Sequence, residues 1–150
     1  MLTTIPKSWF SWDLTVLEDS QPVAEFHVSN WRQRGKLTLQ GKDYKVYREG
    51  VMAGAFLLES GETILARAIK PSPFRRSFDL EYAGKQYTLR SARWSKFVLL
   101  NGDESLGSIS KQIFSNKRVM ADLPESLPLL IKLFMIWLAV LLWKRSSDSG

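Results

Sequence analysis

Leu127-Pro-Leu-Leu-Ile-Lys-Leu-Phe-Met-Ile-Trp-Leu-Ala-Val-Leu-Leu-Trp143 is the stretch on which the fold turns. Only Lys132 interrupts its apolar character, so a helix built from it is hydrophobic on every face and must be buried, in lipid or inside protein. At about 1.5 Å per residue it spans roughly 25 Å, a little short of the roughly 30 Å hydrocarbon layer of a bilayer. Its length therefore fits either a membrane anchor or a buried core helix, and the residues before it have to decide. Pro124 and Pro128 bracket its start, where proline is tolerated because the first helical N–H groups have no intrahelical partner.

The preceding residues read as strands, and they repeat. Trp31-Arg32-Gln33-Arg34 followed by Leu37-x-Leu39-x-Gly41-Lys42-x-Tyr44-x-Val46 recurs as Phe74-Arg75-Arg76-Ser77 followed by Leu80-x-Tyr82-x-Gly84-Lys85-x-Tyr87-x-Leu89. A second unit alternates with the first. It runs Leu57-Leu58-Glu59-Ser60-Gly61-Glu62-Thr63-Ile64-Leu65-Ala66 and returns as Val98-Leu99-Leu100-Asn101-Gly102-Asp103-Glu104-Ser105-Leu106-Gly107. A weaker copy lies at Val16-Leu17-Glu18-Asp19-Ser20-Gln21-Pro22-Val23-Ala24-Glu25. Each unit alternates apolar and polar residues around a Gly-Lys, Ser-Gly-Glu or Asn-Gly-Asp turn, which is the pattern of a β-hairpin. Hairpins are expected near 11–28, 36–48, 52–69, 77–91 and 95–110, with extended chain from Phe114 to Leu123.

About a dozen sequentially paired strands leave no exposed edges only if the sheet closes. Around eight strands make a barrel that side chains fill, and a dozen leave a bore of roughly 10–12 Å, the width of a helix with its side chains. The chain supplies one such helix directly after its last strand. The expectation is a mainly β fold: a closed antiparallel barrel of about twelve strands around a central C-terminal hydrophobic α-helix. It is one domain over 1–150, with a lead-in over 1–8, strands over 9–123, the helix over 127–144 and a disordered tail over 145–150. The alternative is a tail-anchored protein with 127–143 as a transmembrane helix.

Repeated hairpins, the Gly-Lys-x-Tyr turns at 41–44 and 84–87 and the Leu129–Trp143 helix resemble the tubby C-terminal domain superfamily, which includes the LURP-one-related proteins and the phospholipid scramblases. The resemblance covers nearly the whole chain. It implies a twelve-stranded barrel enclosing a helix, acting as a lipid-directed or membrane-proximal binding module, with basic residues on the barrel wall meeting phosphoinositide headgroups. Scramblases add an acidic calcium-binding segment and a cysteine-rich palmitoylated stretch. Here Ile113–Pro124 holds one acidic residue, Asp122, and the chain has no cysteine, so calcium-triggered scrambling is not implied.

The residues point away from catalysis. The lone histidine, His27, lies between Phe26 and Val28 on an alternating strand, with no nucleophile motif beside it, and is expected to face solvent or a hydrogen bond. No metal-ligand spacing, phosphate-binding glycine loop or cofactor motif is present. Asp79 and Glu81 alternate with Phe78, Leu80 and Tyr82 and belong on a solvent face. Met1–Lys7 lacks the basic and apolar regions of a signal peptide.

Charge is more informative. Of 150 residues, 21 are Lys or Arg and 15 Asp or Glu, a net charge of +6 that favours anionic partners. Basic residues gather beside aromatic ones: Arg32, Arg34 and Lys36 after Trp31, Arg75 and Arg76 after Phe74, and Arg90, Arg93 and Lys96 around Trp94, with Lys117 and Arg118 ahead of the helix. Tryptophan beside lysine or arginine is the pairing found at membrane interfaces. The competing reading has Trp31, Phe74 and Trp94 plugging the barrel while the cations are merely solvated. Trp31, Arg32, Arg34, Lys36, Arg75, Arg76, Arg90, Arg93 and Lys96 are the candidate anion-binding residues. The expected protein is a monomeric, non-enzymatic module, cytoplasmic and peripheral at an anionic phospholipid surface. A protein partner or a small-molecule site is the alternative, and no nucleic-acid-binding signature is visible.

Overall fold

The structure, a computed structural model, describes residues 1–29, 34–50, 54–71 and 75–149, with side chains through Ser146. Twelve strands run in order: β1 Leu2–Pro6, β2 Asp13–Glu18, β3 Gln21–Val28, β4 Arg34–Leu39, β5 Lys42–Arg48, β6 Phe56–Ser60, β7 Thr63–Ile69, β8 Ser77–Tyr82, β9 Lys85–Arg93, β10 Lys96–Asn101, β11 Glu104–Gln112 and β12 Ser115–Asp122. Each pairs antiparallel with its sequence neighbours, and β1 pairs with β12 to close the barrel. One helix, α1 Leu129–Ser149, follows.

The closing strand comes from the segment read as a lead-in. Leu2–Pro6 is too short to declare a period, yet Leu2 and Thr4 are buried and Leu2 pairs with Ala121. Thr4 completes the seam with its side chain: its hydroxyl donates to the Lys117 carbonyl at 2.7 Å and accepts from the Val119 N–H at 3.0 Å. The helix likewise departs from its expected bounds. It begins at Leu129, after Pro128 has accepted from the N–H groups of Ile131 and Lys132, and runs to Ser149, past the expected end at 144. The segment read as a disordered tail thus begins as helix.

The repeat reappears as geometry. In the β2–β3, β6–β7 and β10–β11 hairpins the register shifts at the same place, between Val16 and Leu17, Leu58 and Glu59, and Leu99 and Leu100. The β4–β5 and β8–β9 hairpins pair without a shift. They turn on Gln40-Gly41 and Ala83-Gly84, one residue earlier than the Gly-Lys expectation, with both turn residues at positive φ.

The helix fills the bore. From Leu133 to Val140 every residue is 0% exposed, and Leu14, Leu37, Leu58, Phe78, Leu89, Phe97, Leu99 and Ile109 of the strands face it, also fully buried. Trp137 meets Phe56 edge-on at 6.2 Å, and Phe56 meets Phe78 at 5.6 Å. Gly35 makes room for the indole, because a β-carbon there would collide with Trp137 Nε1 and the His27 carbonyl. Among the described residues no helix is long and apolar enough to cross a membrane. Lys132 sits in the first helical turn and is half-exposed, where the helix enters the barrel.

Up-and-down topology gives the barrel two unlike ends. The tight hairpin turns after β2, β4, β6, β8 and β10 lie at the end where α1 enters. The connections after β1, β3, β5, β7, β9 and β11 lie at the end where α1 leaves.

Candidate functional site

The exit end is closed by the last apolar turn of α1. Trp143 is 1% exposed, packs on Phe97 at 5.5 Å, and donates its indole N–H to the Trp94 carbonyl at 2.7 Å. Asn116, at the start of β12, donates to the Trp143 carbonyl at 3.3 Å and accepts from Lys111 Nζ at 2.6 Å. Helix, β9–β10 turn and β11–β12 turn are thereby fastened together.

Cations are built into this plug. Lys111 and Lys144 are both buried, Lys111 with its ammonium 4.0 Å from the Trp94 ring centre. Lys117 and Lys144 lie over the Trp12 ring, at 4.9 and 5.1 Å. Burial, and then the neighbouring Arg76, push the Lys111 ammonium below the ordinary lysine range; burial, and then Lys144, do the same to Lys117. These shifts record ammonium groups taken out of water and, to a lesser degree, held near other positive charges.

Of the residues singled out in the sequence, Arg75, Arg76 and Arg90 come together. Strand pairing sets Arg90 opposite Ser77, and the three guanidinium groups line a cleft of about 670 Å³ with Pro71, Asp79, Thr88 and Ser91. Asp79, which accepts from the Thr88 hydroxyl at 3.4 Å, is the acid in that cleft. Arg76, a candidate anion-binding residue, is not the merely solvated cation of the competing reading. It is half-buried, with Nη1 donating to the Trp94 carbonyl at 3.4 Å, its guanidinium over Phe97 at 5.8 Å, and Nη2 buried without a hydrogen-bond partner. Burial pushes its guanidinium below the ordinary arginine range.

Arg76 also lines a second cleft of about 270 Å³, with Lys70, Leu142, Arg145 and Ser146. Lys70 is held below the usual lysine range by burial and then by Arg145, Arg76 and Arg48. Arg93 and Lys96 pair across the β9–β10 turn on either side of Trp94, and Arg34 opens β4 at the same end. Lys36 does not join them: it lies on the outer wall, with Asp43 at 3.9 Å. Trp31, Arg32 and Phe74 lie outside the described residues. The plug is Trp143, with Trp12 beside it, whereas Trp94 stands exposed at its turn.

The two ends differ in sign. At the entrance end, Glu18 and Asp19, Asp43, Glu62, Asp103 and Glu104, and Asp122 and Glu125 flank the turns, with Lys42, Lys85 and Lys132 among them. At the exit end the basic residues described above are joined by Arg48 and by Lys7, which pairs with Glu25 at 2.8 Å, and the acids near its connections are Asp13, Glu49 and, in the arginine cleft, Asp79. His27 faces solvent as expected and is bonded through Nδ1 to Asp13 at 2.6 Å. Among the described residues no group of acidic or histidine side chains is placed to hold a metal ion.

Four exposed residues escaped the sequence reading: Trp9 and Phe10 in the β1–β2 connection, and Ile113 and Phe114 at the β11–β12 turn. A signal was present. Ile-Phe at a two-residue turn and Trp-Phe between Ser8 and Ser11 are apolar pairs where turn chemistry calls for polar residues. Comparison with known proteins yields no matching family model, no matching curated protein and no matching solved structure.

Proposed function

We propose that this protein is a non-enzymatic binding module that docks on anionic phospholipid surfaces through the end of the barrel where α1 leaves. The observation that carries this reading is the segregation of charge along the barrel axis. Cations from the β5, β7–β8, β9–β10 and β11–β12 segments and from the end of α1 share one end, and the acidic turns occupy the other.

A ring of cations near an anionic bilayer gains about 1 kcal/mol for each Lys or Arg at the surface. The Arg75–Arg76–Arg90 cleft is wide enough, at about 670 Å³, to receive a phosphate-bearing headgroup. In it a headgroup oxyanion would meet three arginines and supply an acceptor for the buried, unpartnered Nη2 of Arg76. The ligand class is the one that the tubby-like resemblance implies.

The test is flotation of full-length protein with vesicles of phosphatidylcholine alone and with added phosphatidylserine, over a range of salt. Binding is expected only with the anionic lipid and should weaken steeply as salt shortens the screening length. Arg75→Gln with Arg90→Gln should weaken it further without lowering the melting temperature, because both residues are exposed. Folded protein that ignores phosphatidylserine vesicles at low salt overturns the proposal, and the protein-partner alternative then leads.

A further inference from the structure

The exit end carries an apolar feature that charge does not account for. Among the described residues, the exposed large aromatic side chains are Trp9, Phe10, Trp94 and Phe114, and all four belong to connections at this end. Phe114 is 99% exposed and Trp9 86%, with Ile113 beside Phe114 at 69%. Because β1, β12, β11, β10 and β9 are neighbours in the closed sheet, these three connections lie side by side around the rim.

The opposite end serves as an internal control. Its hairpins turn on Asp19-Ser20, Gln40-Gly41, Gly61-Glu62, Ala83-Gly84 and Gly102-Asp103, polar or small residues throughout. Folding therefore asks for nothing apolar at a turn of this barrel. The aromatic tips break the local rule while staying largely exposed, as functional positions do.

The tips are also held in place. Lys117 Nζ donates to the Trp9 carbonyl at 2.6 Å, the Trp9 and Phe10 rings meet edge-to-face at 5.7 Å, and the Trp94 carbonyl is bound by both Trp143 and Arg76.

We infer that Trp9, Phe10, Trp94, Ile113 and Phe114 form an arc that inserts into the lipid interface, so that the protein is wedged into the bilayer surface as well as attracted to it. This rests on the membrane reading above and adds to it the acyl-chain boundary as the partner of the tips. Apolar side chains project from separate turns, and the cations Lys111 and Lys117 stand a step behind them, against Trp94 and Trp12. That layering matches a membrane surface, with phosphates outside and hydrocarbon beneath. A second copy related by a two-fold axis does not fit this end, since it would bring cations onto cations.

The experiment uses full-length protein with phosphatidylcholine–phosphatidylserine vesicles whose acyl chains are either plain or brominated. Insertion predicts that tryptophan emission shifts to the blue on binding and is quenched by the brominated chains. Trp9→Phe with Trp94→Phe should remove most of that quenching while binding persists. Phe10→Ser with Phe114→Ser should weaken binding about tenfold or more, with the melting temperature and the salt dependence unchanged. Binding without quenching, and unaffected by Phe10→Ser and Phe114→Ser, overturns insertion and leaves electrostatic docking standing. A protein that binds no anionic vesicle at all takes both readings down together.

Discussion

Gly35 shows how tightly single residues hold this barrel. Its missing side chain is occupied on one side by the Trp137 indole and on the other by the His27 carbonyl of the neighbouring strand. An indole can shift; a carbonyl in a strand ladder cannot. Gly35→Ala should therefore cost about 1–3 kcal/mol, in the range for overpacked cores, read as a fall in the denaturant midpoint. Adding Trp137→Phe should recover part of that loss, because it clears the indole and removes a buried N–H that has no partner. If the double variant is no better than the sum of the singles, the two side chains do not share the space. On the outer wall Asp13 makes a pH-dependent prediction. Burial alone would raise its carboxyl pKa, but hydrogen bonds with His27 and Ser11 and the charges of His27 and Lys7 outweigh it and hold the carboxyl below its usual value of 3.8. A carboxyl depressed by folding stabilises above its unfolded pKa, and that stability disappears as pH falls through the folded value. Half-exposed, the pair contributes less than about 1 kcal/mol. Melting curves of wild type and Asp13→Asn should differ slightly at neutral pH and converge in acid.

The helix is the element on which the others depend. Twelve strands cannot fill their own bore, so α1 acts as the core, and Leu133, Phe134, Ile136, Trp137 and Leu138 are all 0% exposed. Truncation before Leu127 should leave an aggregated or unfolded chain, and Leu133→Ala or Leu138→Ala should each cost about 2–5 kcal/mol. A truncated protein that stays soluble, with an unchanged β-type circular dichroism spectrum and melting point, would overturn this account. Lys132→Leu should be tolerated, because the ammonium stands half-exposed where the helix enters. Much of this was legible before any coordinates, for a physical reason. An apolar helix that follows a regular run of hairpins matches the bore that a closed sheet of a dozen strands leaves, and the pattern stays visible because every hairpin must turn. What stayed hidden was either short or non-local. Leu2–Pro6 has too few residues to display alternation. The depth of Lys111 and Lys144 depends on how the end of α1 meets turns far away in sequence. The basic rim was readable as composition, but the gathering of Arg75, Arg76 and Arg90 and the departure of Lys36 towards Asp43 needed the strand register. Trp9-Phe10 and Ile113-Phe114 could have been found by asking why a turn is apolar.

Taken whole, the molecule is a barrel with acidic turns at one end and cations with aromatic tips at the other, and the proposed membrane docking assigns the two features of the exit end to different stages of binding. Charge acts at a distance, so the basic end should set the rate of encounter with an anionic surface, and that rate should fall as salt rises. Aromatic side chains act only on contact, so they should set how long the protein stays. Stopped-flow mixing with phosphatidylserine-containing vesicles separates the two. Arg93→Gln with Lys96→Gln, cations of the β9–β10 turn outside the headgroup cleft, should slow association several-fold and leave dissociation nearly unchanged. Phe10→Ser with Phe114→Ser should do the reverse, as most changes at a contact surface appear in the off-rate. Neutralising the far end, by Glu62→Gln with Asp103→Asn, tests the polarity itself. Those side chains lie on entrance-end turns, away from the proposed docking end. Their loss raises the net charge from +6 to +8, one unit for each acid neutralised. If net charge governs encounter, association should accelerate. If the local field of the exit end governs it, the rate should hold within about twofold, because the far end lies beyond the roughly 8 Å screening length at physiological salt. The segregated layout predicts the second outcome, and a marked acceleration would mean that only the overall charge matters.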